Sequence, residues 1–440
     1  MPKRSPLPSR ARKAEAPKPS SRGASQQTPS VKIQGPAAVI ARRASERLRA
    51  GQVWVYASDL MEVLEPEKAL IPGLLPVVDA RGIPVGTALW SPHSQIALRL
   101  VSEELLGEEA QWLALVERRL RGAIDLRRQM LAEAGEGTNA CRLVFSEADA
   151  LPGLVIDKYG DLILLQLLVH GLDTAPVRET VTRVLREELD PAAIVERSDP
   201  RIRELEQLSS PAMAVLHASE PEHPLTETSF RINGLTFHFD AKSGQKTGAF
   251  LDQRLNYAAA AQYAHGEALD VCTYQGGFAL HLARYCAKVT GIDVSRAALE
   301  VAERNLLANR DQITAEVEWL EANAFDLLRE WSDAGTEYDT IVLDPPAFAK
   351  SKRAAEGAAR GYKELNLRAL KMLRPGGVLV TCSCSHHVPL ADFTGIVAAA
   401  AADVGRRVRL LERRGAAPDH PAVLTLSETE YLKCLICAVD

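Results

Sequence analysis

From about Lys246 onward, short apolar runs alternate with stretches of helical period, and turn residues separate them. Alternation of this kind predicts an α/β domain with a parallel sheet. Two of the apolar runs, 340–343 and 377–380, end in polar residues. Because ligands of open α/β sheets bind at the carboxyl ends of strands, both ends should face one crevice. The residues there are Asp344-Pro345-Pro346-Ala347-Phe348 and Thr381-Cys382-Ser383-Cys384-Ser385.

The pattern before that region is different. Between about 31 and 104, short strands alternate with Gly and Pro, which predicts a small β-barrel or sandwich. Residues 108–134 predict an amphipathic helix, and 139–240 predict an α+β unit with a last hairpin turn at Asn233-Gly234. The predicted divisions are a disordered basic tail (1–30), a barrel (31–105), a helical connector with a central α+β domain (106–240), and the α/β domain (241–440).

The composition narrows the class of protein. A chain of 440 residues is long enough for two or three domains, and it contains no apolar run that would span a bilayer and no signal peptide. Its seven cysteines form no disulfide pattern, which favours the cytoplasm. Cys434 and Cys437 have CxxC spacing without a second pair, so we expect core thiols and no metal.

The net charge of −5 does not indicate nucleic-acid binding, although a basic groove can exist on an acidic protein. Residues 1–30 are strongly basic, with seven Lys or Arg against a lone Glu15. Such a segment is expected to be disordered. It is either a basic arm that contacts phosphates or a solubilising tail, and the sequence leaves both open.

A strand, a glycine turn and a helix follow one another at 268–280. Gly276 and Gly277 let backbone amides approach a ligand, but the turn lacks the G-x-G-x-x-G of dinucleotide sites. Acids on the first and second strands, Asp270 and Asp293, instead suit S-adenosylmethionine, which carries positive charges and a ribose but no phosphate to cradle. Asn323 follows the presumed third strand, where an adenine edge can be read. The glycines alone would also fit a plain tight turn.

The other half of the crevice offers thiols beside an Asp-Pro-Pro tip, which commonly serves nucleic-acid methylation. Carbon 5 of a pyrimidine is a poor nucleophile, but a thiolate that adds to carbon 6 makes it enamine-like. Strand alternation puts Cys382 and Cys384 on the same face. Cys384 lies nearer the mouth and is the expected nucleophile, whereas Cys382 is expected to be buried. That both are packed core thiols is the minority alternative.

These features resemble the bacterial class I 23S rRNA 5-methylcytosine methyltransferases that carry an N-terminal PUA domain. The similarity covers roughly residues 31–440. It is carried by the segments 79–82, 91–96, 145–154, 246–254, 344–348, 361–366 and 381–387. Ala150 departs from the family's usual Gly, and Ala347 stands where many other RNA cytosine-5 methyltransferases have a second Cys.

The resemblance implies a Rossmann-like methyltransferase domain, a PUA-like barrel that docks structured RNA, and S-adenosylmethionine as cofactor. The implied partner is 23S rRNA or a large-subunit precursor, and a homodimer is one option for the oligomeric state. Cys384 is the implied nucleophile. The group that takes the carbon-5 proton is left open, and Asp344 and a bound water are the two candidates. The expected cofactor contacts are Asp270, Tyr274, Gly276, Gly277, Asp293, Asn323, Ala324 and Asp344. The expected substrate contacts are Pro345, Pro346, Phe348 and Lys350.

Three other functions stay open. Asp-Pro-Pro-Phe tips also occur in enzymes that methylate purine nitrogens, which need no thiol. An RNA-binding assembly factor would bind the cofactor without turnover, but an intact acid, glycine turn and thiol argue against decay of the site. A small-molecule methyltransferase would have no obvious use for the barrel.

Overall fold

The computed structural model describes residues 35–209, 213–242, 249–348 and 355–440. The predicted basic tail, residues 246–248 and Lys350 lie outside these ranges. The first described elements are β1 (Ala37–Ile40), α1 (Arg42–Arg49), β2 (Trp54–Tyr56), β3 (Leu60–Leu64), β4 (Leu74–Asp79), β5 (Pro84–Trp90) and β6 (Ile96–Ser102). They form a six-stranded sheet in the order β2-β6-β5-β4-β1-β3, in which only β1 and β4 are parallel neighbours. Apolar side chains of α1 and the strands fill its core.

A long helix, α2 (Glu109–Ala134), connects this sheet to a second one. The elements that follow are β7 (Ala140–Phe145), β8 (Leu154–Tyr159), β9 (Leu162–Leu167), α3 (Ala175–Leu189), β10 (Ala193–Glu196), α4 (Pro200–Leu205) and β11 (Ala214–Ala218). The five strands are ordered β11-β10-β9-β8-β7, and α2 and α3 bury their apolar residues against the sheet.

A hairpin of β12 (Glu227–Ile232) and β13 (Leu235–Asp240) leads into the last region. Asn233 and Gly234 have φ angles of 51° and 86°. A type I′ turn requires positive φ at both central residues, so the predicted turn is confirmed.

The last region contains a seven-stranded sheet. Its elements are α5 (Arg254–Tyr263), β14 (Glu267–Val271), α6 (Gly277–Leu282), β15 (Lys288–Asp293), α7 (Arg296–Ala308), β16 (Glu316–Glu321), α8 (Ala324–Ala334), β17 (Tyr338–Leu343), α9 (Ala355–Met372), β18 (Leu373–Ser383), α10 (Leu390–Asp403), β19 (Val408–Arg414) and β20 (Lys433–Val439). The strand order is β16-β15-β14-β17-β18-β20-β19, and β20 is antiparallel to both neighbours. The predicted α/β, Rossmann-like class is confirmed.

The strand that carries the thiols is longer than predicted. It begins at Leu373, and the apolar pattern indicated only 378–383. Its pairing with β17 shifts register between Tyr338 and Thr340, and its first residues include Gly376 and Gly377. Because this first part lacks an apolar run, sequence patterning does not detect it.

The parallel strands β14, β15, β17 and β18 end at one edge of the sheet. Leu343 pairs with Thr381, so the residues that follow each of them lie side by side. The two predicted tips therefore share an edge with the glycine turn that follows β14.

The barrel is docked on the central sheet through backbone contact. A Cβ added to Gly73 would lie 2.5 Å from the Gly171 carbonyl oxygen, and one added to Gly171 would lie 2.3 Å from the Gly73 oxygen. The buried Arg99 of the barrel also donates to Glu206 at 3.0 Å. Only glycines permit so close an approach.

Asp419 joins three parts of the chain. It lies between β19 and β20 and is fully buried, and its Oδ2 accepts from the Arg142 backbone N–H (3.0 Å) and its Oδ1 from Arg254 Nη2 (3.2 Å). Arg127 of α2 donates to the Asp419 carbonyl oxygen at 3.0 Å. Burial opposes ionisation, yet His420, Arg254 and the Arg142 N–H hold the pKa of Asp419 well below its usual range.

We expect Asp419→Asn to lower the free energy of unfolding by about 3 kcal/mol, because it leaves a buried arginine without its counter-charge. Urea denaturation followed by circular dichroism measures this. Asp403→Asn is the matched control, since the Asp403–Lys363 ion pair is about half exposed and should contribute less than about 1 kcal/mol. Equal effects of the two substitutions would show that Asp419 is not a structural junction.

Candidate active site

Asp270 stabilises the turn after β14 through hydrogen bonds. It is fully buried, and its Oδ2 accepts from Thr273 Oγ1 (2.6 Å) and from the Ala279 backbone N–H (2.9 Å). Its Oδ1 is buried without a partner among the described residues. Burial raises the pKa of Asp270 to about 7, against these two hydrogen bonds. Asp270 therefore shapes the turn, and its direct contact with a cofactor stays a prediction.

The turn itself is strained. Cys272, Tyr274 and Gly276 have φ angles of 64°, 51° and 83°. Non-glycine residues in this conformation are uncommon and concentrate at binding sites. Gly277 begins α6 against the buried ring of Tyr257, where an added Cβ would lie 2.6 Å from the ring. Gly277 thus permits close packing against Tyr257, and the predicted approach of a ligand to Gly276 and Gly277 stays a prediction.

Asp293 ends β15 and faces the turn. Its Oδ2 accepts from the Tyr274 backbone N–H and its Oδ1 from the Ser295 N–H, both at 2.9 Å. Each oxygen keeps a second lone pair, which a ribose hydroxyl can use.

Asn323 caps α8, because its Oδ1 accepts from the Phe325 backbone N–H at 2.9 Å. The Asp326 backbone N–H donates to the same oxygen at 3.4 Å, so this oxygen is engaged at the start of the helix. Ala324, the first residue of the helix, offers its backbone instead. The predicted roles of Asn323 and Ala324 at the cofactor stay predictions.

Asp344 extends the tip of β17. It is half-buried, its Oδ2 accepts from Gln253 Nε2 at 3.0 Å, and its backbone N–H donates to the Val271 carbonyl at 3.2 Å. Burial, with the neighbouring carboxylates of Asp252 and Asp270, raises the pKa of Asp344 to about 8. A carboxyl with this pKa changes its charge near physiological pH.

The two candidate thiols have different environments. Cys382 is fully buried next to Cys434, whereas Cys384 is half-buried with its Sγ 4.0 Å from the Pro345 carbonyl oxygen. Burial and the carboxylates of Asp344 and Asp252 raise the pKa of Cys384 to about 12, against Lys433. Of the two thiols, only Cys384 reaches the tip where the β17 proline turn lies. Cys434 and Cys437 are buried core thiols, as predicted.

The predicted substrate contacts are not equally accessible. Pro345 is buried and Pro346 is exposed. The ring of Phe348 packs against Tyr362 and Phe325, with centroids 4.8 and 5.7 Å apart. Aromatic residues of α8 and α9 therefore cover part of this ring, and the role of Phe348 as a substrate contact stays a prediction.

Four residues at this edge were not identified from the sequence. Asp252 and Gln253 lie in the 246–254 segment, which marked the family resemblance but gave no role to either residue. Tyr431 donates a hydrogen bond to Asp252 Oδ2, and the buried Lys433 begins β20. The position of Lys433 at this edge depends on the insertion of β20 beside β18, which the sequence did not indicate.

The residues at this edge fit S-adenosylmethionine. A pocket beside the strained turn is lined by Cys272, Tyr274, Gly277 and Asp344, among others. The carboxylate of Asp344 in this pocket and that of Asp293 at the end of β15 suit a ligand with positive charge and ribose hydroxyls. The unpartnered Asp270 Oδ1 lies under the same turn. Within the described ranges, no cluster of three or more His, Cys, Asp or Glu is arranged to hold a metal ion. None of the described helices is long and apolar enough to cross a membrane.

Comparison with known proteins agrees with this geometry. Residues 155–435 match the family described as S-adenosylmethionine-dependent methyltransferase, and residues 39–103 match a PUA-like domain. The ribosomal RNA large subunit methyltransferase I of Shewanella amazonensis is 38% identical over 391 residues, which is 88% of this chain and 95% of that protein. The protein of the same name from Pseudoalteromonas translucida is 37% identical, over 84% of this chain and 91% of its own length.

A solved structure shares the fold. A Streptococcus mutans protein assigned to the sam-dependent methyltransferases has a TM-score of 0.73 at 18% identity, over 91% of this chain and 99% of that chain. The fold and the site define an S-adenosylmethionine-dependent methyltransferase with a PUA-like domain. The chain belongs to the same family as the two ribosomal RNA large subunit methyltransferase I proteins.

We expect the affinity for S-adenosylmethionine to rise with pH up to about 8, because Asp344 loses its proton there and its negative charge then attracts the sulfonium. The Kd should fall by up to about tenfold per pH unit below 8. Isothermal titration calorimetry from pH 6 to 9 measures it. S-adenosylhomocysteine has the same amino group but no sulfonium, so its affinity should change less. A pH profile unchanged in Asp344→Asn would contradict this role.

We expect Gly277→Ala to destabilise the protein by about 1–3 kcal/mol and to weaken cofactor binding, because the new methyl group overlaps the Tyr257 ring. Gly395→Ala in α10 is the control. A Cβ there meets nothing within 4 Å, so this change should stabilise by about 0.5–1 kcal/mol. Thermal unfolding with and without S-adenosylhomocysteine compares the two variants, and a neutral Gly277→Ala would disprove the packing argument.

Proposed function

We propose that this methyltransferase transfers a methyl group to carbon 5 of a cytosine in large-subunit ribosomal RNA through a covalent adduct with Cys384. The observation that carries the proposal is the half-buried thiol at the tip of β18, beside the Asp344-Pro345 tip of β17. Nitrogen methylation needs no thiol at this place. The names of the two relatives support ribosomal RNA as the substrate.

The chemistry assigns one task to each residue. The Cys384 thiol loses its proton, and the thiolate sulfur bonds to carbon 6 of the cytosine, which gives carbon 5 the electron density to attack. S-adenosylmethionine supplies an electrophilic methyl group and leaves as S-adenosylhomocysteine. Removal of the carbon-5 proton then drives elimination of the Cys384 thiolate, which restores the aromatic ring and the free enzyme.

Asp344 is our candidate for the base that takes the carbon-5 proton. Its raised pKa, about 8, makes its carboxylate a stronger base than an ordinary aspartate at neutral pH. Gln253 holds one carboxylate oxygen and leaves the other for a proton. Ala347 stands where a second cysteine would otherwise assist, so Asp344 or a bound water is left for this task.

The other residues support an extruded base as the substrate. The exposed Pro346 and the uncovered part of Phe348 lie at the mouth of the cleft. Extruding a base costs a few kcal/mol and is least costly in loops or unfolded RNA. The PUA-like barrel would bind structured RNA while the cleft receives the base, and a ribosomal substrate would place the reaction in the cytoplasm.

Bisulfite mapping of ribosomal RNA tests substrate, atom and nucleophile together. Cells that carry the gene should protect one large-subunit cytosine from conversion, and cells without it should not. Wild-type and Cys382→Ala genes should restore protection, whereas Cys384→Ala should not. Wild-type protein should also form a covalent adduct on RNA that contains 5-fluorocytosine, because the carbon-5 proton cannot leave.

Each other outcome selects an alternative. Normal protection by Cys384→Ala would rule out the covalent adduct, and loss in Cys382→Ala instead would exchange the two thiols. A methylated purine found by mass spectrometry would favour nitrogen methylation. Cofactor binding without methyl incorporation into any ribosomal RNA would favour an assembly factor.

A further inference from the structure

Lys433 is a buried cation at the proposed nucleophile. It is the first residue of β20 and pairs with Ser383 of β18, and it is 6% exposed. Its Nζ donates to the carbonyl oxygens of Ser385 (2.6 Å) and Tyr431 (2.7 Å). Ser385 directly follows Cys384, so the ammonium group is held against the backbone at the end of the thiol-bearing strand.

The charge of Lys433 lacks a partner of the usual kind. Among the residues that the structure describes, no carboxylate oxygen lies within the 4.0 Å of an ion pair with its Nζ. Two carbonyl oxygens satisfy the hydrogen bonds but not the charge, and burying an unpaired ammonium group is costly. A neutral donor would hold the same two carbonyls at lower cost. The cost of a full positive charge at this position would be offset by an anion that forms nearby.

The groups around Lys433 identify that anion. Cys384 on β18 and the exposed Glu430 before β20 both favour its charged form, against burial, which lowers its pKa to about 8. Tyr431 and His386 lie beside Lys433. Burial and the charge of Lys433 lower the pKa of His386, which disfavours a second cation at this place. On the thiol side, Asp344 and Asp252 oppose a negative charge on Cys384, and Lys433 favours it.

We propose that the buried ammonium group of Lys433 stabilises the Cys384 thiolate and acts as the positioning residue for this nucleophile. This inference rests on the proposed function, because the covalent adduct is what requires a thiolate at Cys384. Lys433 keeps its proton throughout. The thiol proton leaves to solvent, the sulfur–carbon 6 bond forms, and the thiolate released by elimination again faces the ammonium group.

The test measures the thiol without methyl transfer. Full-length protein is treated with iodoacetamide between pH 6 and 10, and mass spectrometry follows alkylation of the Cys384 peptide. Lys433→Gln keeps a hydrogen-bond donor but removes the charge, so alkylation at pH 8 should slow by about tenfold or more, which corresponds to one unit in the thiol pKa. Lys288→Gln is the control, since Lys288 is a partly exposed lysine at the start of β15, paired with Glu318, and the change should leave the rate unchanged.

Lys433→Arg gives a second test that does not depend on folding of the Gln variant. Native Lys433 loses its charge above about pH 8, whereas an arginine stays protonated. Alkylation of Cys384 between pH 9 and 10 should therefore be several-fold faster in Lys433→Arg than in wild type. The Arg variant should also retain kcat for RNA methylation to within about tenfold, whereas Lys433→Gln should lose kcat with little change in KM.

The outcomes separate this inference from the proposed function. A folded Lys433→Gln variant that alkylates like wild type at every pH, or a Lys433→Arg variant with an unchanged profile above pH 8, would overturn the role of Lys433. Neither result would affect the adduct, which Cys384→Ala tests. Normal methylation by Cys384→Ala would instead contradict the proposed function. The alkylation profile of the Lys433 variants would still show whether Lys433 stabilises the Cys384 thiolate.

Discussion

The buried carboxylate of Asp419 is the interaction on which the relative position of the parts depends. It receives hydrogen bonds from Arg142 on the central sheet and from Arg254 at the start of α5, while Arg127 of the connecting helix holds its backbone. A buried charge is tolerated only when its partners are complete, so all three segments must be in place together. The same loop leads into β20, and the position of Lys433 beside Cys384 follows from it.

The cleft contains acidic groups whose ionisation is disfavoured by burial. Asp270 and Asp344 have raised pKa values, and the pKa of the Cys384 thiol is raised by burial and by the carboxylates of Asp344 and Asp252. Ionising several such groups together costs free energy unless a cationic ligand offsets the negative charge. A cationic cofactor does this, and the strained backbone at Cys272 and Tyr274 is consistent with a site shaped for binding and not for stability.

Local patterns in the sequence were enough to predict the class of fold, the two strand tips and the glycine turn. Apolar runs bounded by polar residues identified β17 and the apolar half of β18, and spacing identified Asp293. The same patterns do not contain strand order, so nothing near Lys433 in the sequence indicated that β20 inserts beside β18. Likewise, the covering of Phe348 depends on Tyr362 and Phe325, which come from two other helices. Gln253 lies in the 246–254 segment that carried the family resemblance, but no sequence pattern assigned it a role.

The contact between Gly73 and Gly171 bears on which nucleotide of an RNA could reach the cleft. At this contact the two backbones meet without side chains between them, and the buried Arg99–Glu206 hydrogen bond is a second contact between the barrel and the central sheet. An RNA element held by the barrel would then meet the cleft at a set span. The nucleotide that reaches Cys384 would then be selected by its distance from the RNA element held by the barrel, as much as by the identity of its base.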